Sequence, residues 1–138
     1  LVTVRDEVDR SVVTVRGDGL FAPASARLTR EREALMQRIA EALAQVPGQV
    51  LVTGHTDNVR IHTAQFPSNW HLSEERAKTV RDILQADGVT ADRLRAEGRA
   101  DGEPVAANDT PANRAQNRRV EITLFVQRGT AAAPGAGS

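Results

Sequence analysis

The hydrophobic pattern of the first half of the chain predicts a strand pair, a helix and a buried strand. Residues 1–16 hold two β-branched runs joined by a short polar link, which is typical of a hairpin. Apolar residues at three- and four-residue spacing from Leu35 to Leu43 predict a helix, and Pro47 with Gly48 predicts its end. The run at 50–53 has no polar alternation, so we expect a central strand that is covered on both faces.

The second half repeats the alternation of helix and strand. A second amphipathic helix is predicted from about residue 70 to residue 87, with Ser68 or Asn69 as its N-cap and Gly88 as its stop. Three further segments complete the pattern: a short strand at 94–97, a long polar loop at 98–113 and a half-buried strand at 120–126. Strand–helix–strand passages on both sides of the central strand predict right-handed crossovers packed on one sheet.

Composition limits the classes of protein that this pattern can represent. The 138 residues suit one domain, and 18 basic and 18 acidic residues give a formal net charge of zero, which argues against binding nucleic acid through bulk charge. Cysteine is absent, which excludes disulfides, thiolate metal sites and a cysteine nucleophile. No apolar run reaches the length of a membrane span. Because Leu1 already lies in an apparent strand, we expect the chain to be part of a longer protein.

The second predicted helix carries a charged residue on its apolar stripe. Arg76 lies four residues after Leu72 and four before Val80, so helical geometry turns it inward. An arginine in that position keeps its charge and needs acceptors, and Asp57, just past the central strand, is the nearest candidate in the sequence. Two interpretations remain open: a structural ion pair, or a site for a ligand that carries both an ammonium and a carboxylate.

Metal and hydrolase chemistry are weaker interpretations of the same region. His55 and Asp57 are two residues apart on an extended segment, but with His62 and His71 they form no recurring ligand spacing, so we predict no metal site. Neither Ser68 nor Ser73 stands in a nucleophile-elbow pattern, and an enzyme is therefore not expected. Phe66 and Trp70 are candidates for stacking on a sugar, although a lone tryptophan near a helix start is more often a core anchor.

A second polar cluster occupies residues 108–119, directly before the last strand. Arg118 and Arg119 are adjacent, so they point to opposite faces if the strand has begun. One of them is placed to join Asp57 and Arg76 at the edge of the sheet. The alternative, which the residues alone favour, is a solvated basic patch.

Three ordered motifs resemble those of the OmpA-like peptidoglycan-binding domain. They are GHTDN at 54–58, SNWHLSEERA at 68–77 and NRAQNRRVEI at 113–122, and the match covers roughly residues 12–126. The resemblance implies an α/β (α+β) two-layer sandwich, with a mixed β-sheet and helices packed on one face. It places an OmpA-like domain at 1–128, with 1–16 as its leading strand pair, and a disordered low-complexity tail at 129–138.

The resemblance also implies a ligand and the residues that hold it. The family binds the diaminopimelate residue of the cell-wall stem peptide, and Asp57 and Arg76 match the two residues that grip its zwitterionic end. Four further positions match the ligand-binding pattern: Thr56, Asn69, Asn117 and Arg118. A bidentate arginine suits a carboxylate, and an aspartate suits an ammonium. No catalysis, metal or cofactor is needed, so a non-covalent binding module is expected.

The loop between Asp57 and Asn69 is longer than in the general family and ends in FPSNW at 66–70. This variant is similar to two subgroups, the MotB-type flagellar stator proteins and the TssL-type inner-membrane proteins of type VI secretion. GDGLF at 17–21 and GRADGEP at 98–104 look more like the secretion subgroup. Arg60 replaces a proline that is common in the family.

These features indicate a periplasmic domain of an inner-membrane protein from a Gram-negative bacterium, which anchors a type VI secretion membrane complex to the cell wall. The alternatives are a stator domain or a general OmpA-like anchor. Expected partners are the peptidoglycan stem peptide, other subunits of the secretion membrane complex and, in a homodimer, a second copy of the chain. Contact with the membrane is expected only through a segment that precedes this sequence.

Overall fold

The computed structural model describes residues 2–18, 20–22 and 25–126. Within them the elements follow the order β1 (Val2–Asp6), β2 (Arg10–Arg16), α1 (Arg30–Ala44), β3 (Val50–His55), α2 (Asn69–Ala86), β4 (Leu94–Gly98), α3 (Pro111–Asn117) and β5 (Arg119–Phe125). A single 3-10 turn, Ala91–Arg93, links α2 to β4. The tail predicted at 129–138 lies outside the described residues.

The five strands form one mixed sheet in the order β1-β2-β5-β3-β4. The pairs β1–β2, β2–β5 and β3–β5 are antiparallel, whereas β3 and β4 are parallel. Ile122 of β5 pairs with Val13 on one side and with Val52 on the other, so β5 joins the leading hairpin to the rest of the sheet. Strands flank β3 on both sides, so its predicted central position is confirmed. Helices cover only one of its two faces, so the expectation that they cover both is wrong.

The core lies between the sheet and the first two helices. The apolar stripe of α1 buries Met36, Ala40 and Leu43, and that of α2 buries Val80 and Leu84. These side chains pack against one alternating set from the central strands: Val50, Val52, Val120 and Ile122. The α/β two-layer arrangement with helices on one face of a mixed sheet is therefore confirmed.

The start of α2 lies directly on the ends of β3 and β4. A β-carbon added at Gly54 would collide with the backbone carbonyl oxygen of Ser73, and one at Gly98 would lie 2.6 Å from the Glu74 nitrogen. The Ser73 hydroxyl donates to the Trp70 carbonyl (2.9 Å) and accepts from the Ala100 amide (3.1 Å). This close approach holds the residues that follow β3 beside the first two turns of α2.

Replacing Gly54 by alanine is expected to lower the free energy of unfolding by about 1–3 kcal/mol, because the new methyl group forces α2 away from β3. Urea denaturation measures the change. Gly102→Ala is the matched control, because there the nearest atom to an added β-carbon is a single carbonyl oxygen at 3.2 Å. If Gly54→Ala and Gly102→Ala have equal free energies of unfolding, the packing of α2 on β3 does not require glycine at position 54.

Two helix starts differ in how well the sequence predicts them. Ser68 is the N-cap of α2, and its hydroxyl accepts from the His71 amide at 3.3 Å, in agreement with prediction. The loop predicted at 98–113 is wrong at its end, because α3 begins at Pro111. Thr110 caps α3 by accepting from the Asn113 amide at 3.1 Å, and proline at the first helical position is a known start signal.

The other face of the sheet carries a buried polar layer. His55 and Arg119 are opposite each other on β3 and β5, and both are almost fully buried. Arg119 donates to the Glu121 carboxylate (2.8 Å) and to the carbonyl oxygens of Asn117 and Glu103 (3.2 and 2.9 Å). The His55 ring contacts Thr53 through Nε2 at 3.3 Å, while its Nδ1 is buried and finds no hydrogen-bond partner among the residues that the structure describes.

Candidate functional site

A cavity of about 600 Å³ opens where β3 ends and α2 begins. Its walls come from the link after β2, the segment after β3, the first turns of α2 and the region around α3. Five of the six site residues predicted from the sequence line it: Thr56, Asp57, Asn69, Arg76 and Arg118. The geometry at the start of α2 brings these positions together although they span more than sixty residues of sequence.

Arg76 enters the cavity wall from the buried stripe of α2 and is only 8% exposed. Its acceptors are not the predicted carboxylate: Nε donates to the Ser25 carbonyl (2.7 Å) and Nη2 to the Ala22 carbonyl (3.4 Å). The guanidinium also lies 4.8 Å from the centre of the Phe21 ring. Among the described residues Nη1 has no hydrogen-bond partner, so its two N–H groups remain available to a ligand.

Burial lowers the pKa of Arg76 to about 10, and the nearby positive charge of Arg118 acts in the same direction. The attraction of Asp18 and Asp57 opposes this shift. The group therefore stays charged at neutral pH. A poorly solvated cation with unused donors is suited to binding a carboxylate.

Asp57 forms its ion pair with Arg118 rather than with Arg76. Its Oδ2 accepts from Arg118 Nη1 at 2.5 Å, and its Oδ1 accepts from the Val59 amide at 3.0 Å. The interpretation of Asp57 and Arg76 as a structural ion pair is therefore wrong for this structure, since neither is the other's partner. The separation leaves a carboxylate and a guanidinium at different points of one cavity.

Arg118 bridges two carboxylates. Besides Asp57, it binds Asp18 through Nε and Nη2 at 3.0 and 2.9 Å, a bidentate contact that raises the pKa of Arg118 and lowers that of Asp18. The interpretation that the residues alone favoured, a solvated basic patch, is therefore wrong: Arg118 is the arginine that joins Asp57, and Arg119 is buried in the polar layer on the other face of the sheet.

Thr56 and Asn69 shape the loop that forms one wall. Asn69 Oδ1 accepts from the Ile61 amide at 3.1 Å, and its Nδ2 donates to the carbonyls of Val59 and Asp57 at 2.9 and 3.4 Å. The Thr56 hydroxyl donates to the Asp57 carbonyl at 2.8 Å. Both side chains thus hold the backbone around the aspartate.

Asn117 is the one predicted site residue that the structure places outside the cavity lining. It is completely buried, and its Oδ1 accepts from the amides of Val105 and Ala106 at 2.7 and 3.0 Å. Its Nδ2 donates to the Ala106 carbonyl and the Asn108 side chain, both at 2.9 Å. With its amide fully used, it holds the 105–108 loop next to Arg118, and we do not assign it a ligand contact.

Among the charged and aromatic lining residues, four were not assigned to the site from sequence: Asp18, Phe21, Arg60 and Arg114. The first two lie in the GDGLF motif, which served only to distinguish subgroups; Gly19 of that motif lies outside the described residues. Four arginines and two aspartates line the cavity, so positive charge is in excess. Such a balance favours a ligand with more carboxylate than ammonium groups.

Metal and hydrolase chemistry were the alternatives for this region. In the described part of the chain, no three histidine, aspartate or glutamate side chains come together to hold a metal ion. Ser73 is completely buried with its hydroxyl engaged by backbone groups, so it cannot serve as a nucleophile. The expectation that Trp70 anchors the core is wrong: it is 49% exposed, and Phe66 (2%) is the buried aromatic residue of that loop.

Residues 20–118, more than half of the chain, match the sequence profile of the OmpA family. The chain belongs to the OmpA family. Across residues 2–18, 20–22 and 25–126, no helix is long and apolar enough to cross a membrane. The family assignment agrees with the motif resemblance and with the observed fold.

Two solved structures and one protein sequence illustrate the range of similar OmpA-family proteins. The cell wall anchor of the type VI secretion system from Pseudomonas aeruginosa shares 58% identity and a TM-score of 0.87, over 91% of this chain and 88% of that one. The periplasmic domain of Helicobacter pylori MotB shares 25% identity and a TM-score of 0.82, and the match covers 97% of this chain and 94% of that one. Peptidoglycan-binding protein ArfA of Mycobacterium tuberculosis is 40% identical over 91 residues, 65% of this chain and 27% of that protein.

The chain spans about half the length of the first curated relatives that it matches, between 46% and 55%. Those relatives therefore contain regions with no counterpart in this sequence. The similar proteins are described as an anchor and as a binding protein. Neither description names an enzyme.

Proposed function

We propose that this OmpA-family domain binds peptidoglycan non-covalently through the diaminopimelate residue of the stem peptide. The observation that carries the proposal is the cavity in which Arg76 keeps unused N–H groups while Asp57 lies apart from it. The side chain of diaminopimelate ends in an ammonium and a carboxylate on one carbon. A guanidinium and a carboxylate facing the same cavity complement these two charges.

Each cavity group has a defined role in this proposal. Arg76 binds the ligand carboxylate through Nη1, which is held in place because Nε and Nη2 already contact backbone carbonyls. Asp57 accepts from the ligand ammonium with the lone pairs that Val59 and Arg118 leave unused. Arg118, fixed by Asp18, keeps Asp57 in position and adds positive charge beside the ligand. Thr56 and Asn69 hold the loop that carries the aspartate.

We propose that the domain anchors a type VI secretion membrane complex, as the periplasmic part of an inner-membrane protein. Its 58% identity to a type VI secretion cell wall anchor supports this choice over a flagellar stator, since the MotB domain is only 25% identical. Partners in the proposal are the stem peptide, other subunits of the membrane complex and, in a homodimer, a second copy of the chain. The stator remains the second candidate because MotB domains share the fold.

Selectivity between stem peptides tests the proposal. We expect the domain to bind a stem peptide with diaminopimelate about ten- to a hundredfold more tightly than one with lysine at the same position, because lysine leaves Arg76 without a carboxylate. Isothermal titration with the two soluble peptides measures the difference. Sacculi of the diaminopimelate type should co-sediment with the domain without releasing soluble fragments.

A diaminopimelate peptide amidated on the side-chain carboxylate is the matched control ligand, because it keeps the ammonium and the length of the side chain. It should bind as weakly as the lysine peptide. Equal affinities for all three peptides would refute recognition of the zwitterion, and release of muropeptides by the pure domain would refute a binding-only role.

A further inference from the structure

The cavity at the start of α2 holds more positive charge than the proposed contact with diaminopimelate uses. Arg118 is already engaged by the two aspartates of the lining. Arg76 is assigned to the side-chain carboxylate of diaminopimelate. The remaining two arginines of the lining, Arg60 and Arg114, have no counterpart in the zwitterionic end of that residue.

Arg114 lies on α3 and is half-buried. In the described part of the chain its guanidinium makes neither a hydrogen bond nor an ion pair, whereas the two arginines that follow it, Arg118 and Arg119, each bind a carboxylate. A cation near the carboxyl end of a helix is favourable, but that interaction does not use its N–H donors. A partly desolvated guanidinium with free donors is suited to binding an anion.

Arg60 lies in the loop after β3, where one side chain holds the backbone on both sides of it. Asn69 donates to the Val59 carbonyl at 2.9 Å and accepts from the Ile61 amide at 3.1 Å. The Arg60 side chain is exposed and has no hydrogen bond or ion pair to any residue that the structure describes. Because Arg60 replaces a proline that is common in the family, its charge is a property of this chain.

We propose that Arg60 and Arg114 bind a second carboxylate of the stem peptide. The inference rests on the proposed binding of diaminopimelate in the same cavity. A cavity of about 600 Å³ is in the size range that encloses whole small ligands, so it has room for more of the stem than one charged side-chain end. Each guanidinium offers several N–H donors and no acceptor, so an anion is the complementary group.

The stem peptide has two carboxylates that fit this role. One is the α-carboxylate of the D-glutamate before diaminopimelate, which is free because that glutamate is linked through its γ-carboxyl group. The other is the main-chain carboxylate of diaminopimelate, which is free when diaminopimelate ends the stem. Amidation removes the negative charge of either group and replaces an acceptor by N–H donors, so amidated peptides distinguish the two sources.

Isothermal titration with the tripeptide L-alanyl-γ-D-glutamyl-diaminopimelate and its amidated forms tests the assignment. We expect amidation of at least one of these two carboxylates to weaken binding about tenfold, equivalent to about 1.4 kcal/mol. If neither amidation weakens binding while amidation of the side-chain carboxylate does, the second contact is refuted and the diaminopimelate site stands. If none of the three amidations weakens binding, both proposals are refuted.

A double variant, Arg60→Gln with Arg114→Gln, tests whether these two residues make the contact. It should bind the unmodified tripeptide about tenfold more weakly than the wild type, and no more tightly than the amidated form that the wild type binds weakly. Its affinity for that amidated form should stay at the wild-type value, which also shows that the cavity is intact.

Arg30→Gln with Arg38→Gln is the matched control. Both arginines are exposed on α1 and do not line the cavity, and their loss changes the net charge by the same amount. This control should keep the full preference for the unmodified tripeptide. Loss of the preference in the control, or its full retention in the variant of Arg60 and Arg114, would overturn the proposal.

Discussion

Replacing Arg76 by methionine is expected to weaken binding of a diaminopimelate stem peptide about a hundredfold or more, equivalent to about 3 kcal/mol. Methionine fills a similar volume but removes the donors that face the ligand carboxylate. Arg118 does not replace these donors, because Asp18 and Asp57 already engage it. Isothermal titration with the soluble peptide measures the loss.

Arg76→Met also affects the fold, so its affinity for the peptide and its free energy of unfolding both have to be measured. Arg76 donates to the carbonyls of Ser25 and Ala22, and losing these bonds should lower the free energy of unfolding by about 1–2 kcal/mol. Binding must therefore be measured at a temperature where urea or thermal curves show the variant to be folded.

Thr79→Val provides a matched control for this structural effect. Thr79 lies on the same helix, and its hydroxyl donates to the Ala26 carbonyl at 2.8 Å. Thr79→Val therefore removes a bond to the segment that Arg76 also holds, and Thr79 does not line the cavity. We expect a loss of stability of about 0.5–1.5 kcal/mol with unchanged affinity. If Thr79→Val weakens binding as much as Arg76→Met, the arginine supports the fold and does not hold the ligand.

Acidification is expected to remove about 3 kcal/mol of stability through His55 alone as the pH falls from 6.5 to 4. Burial is the main reason that the pKa of His55 is lowered to about 4, and the positive charge of Arg119 adds to it, while Glu121 and Glu103 oppose the shift and Arg99 supports it. Between these two pH values the unfolded chain takes up a proton that the folded domain does not bind, so stability declines in that window. Well above pH 6.5, His55 is neutral in both the folded and the unfolded chain, so its contribution to the free energy of unfolding no longer changes with pH.

Urea denaturation at pH 7.5 and pH 4.5 measures this effect, with His55→Gln compared against the wild type. The variant should lose much less stability between the two pH values, because glutamine does not titrate. His62→Gln is the control, since His62 is exposed and should leave the difference unchanged. An identical pH dependence in the wild type and His55→Gln would show that other groups cause the acid sensitivity.

The elements that the sequence predicted well are those whose pattern depends only on neighbouring residues. The apolar spacing along α1 and α2 and the alternation in β5 follow from the geometry of a helix and a strand, and the structure confirms each of them. The inward position of Arg76 follows from the same helical spacing. The short helix α3 was missed, although Thr110 and Pro111 are a local start signal.

Motif resemblance extended the prediction from elements to a fold and a site. It brought Thr56, Asp57, Asn69, Arg76 and Arg118 together, and these residues do line one cavity. It did not separate residues that face a cavity from those that support it. Asn117 is an example: the motif contains the same asparagine whether its amide faces a ligand or, as in this structure, binds the backbone of a buried loop.

By itself, the sequence determined the secondary structure apart from α3, the inward position of Arg76 and membership of the motif-bearing family. Only the tertiary structure decided the partners of each charge. Asp18 and Arg118 are 100 residues apart and meet because β2 pairs with β5, while Arg76 finds acceptors in a segment more than 50 residues away. Local spacing carries no information about such pairs, because they depend on which strands are neighbours and on how closely α2 rests on Gly54 and Gly98.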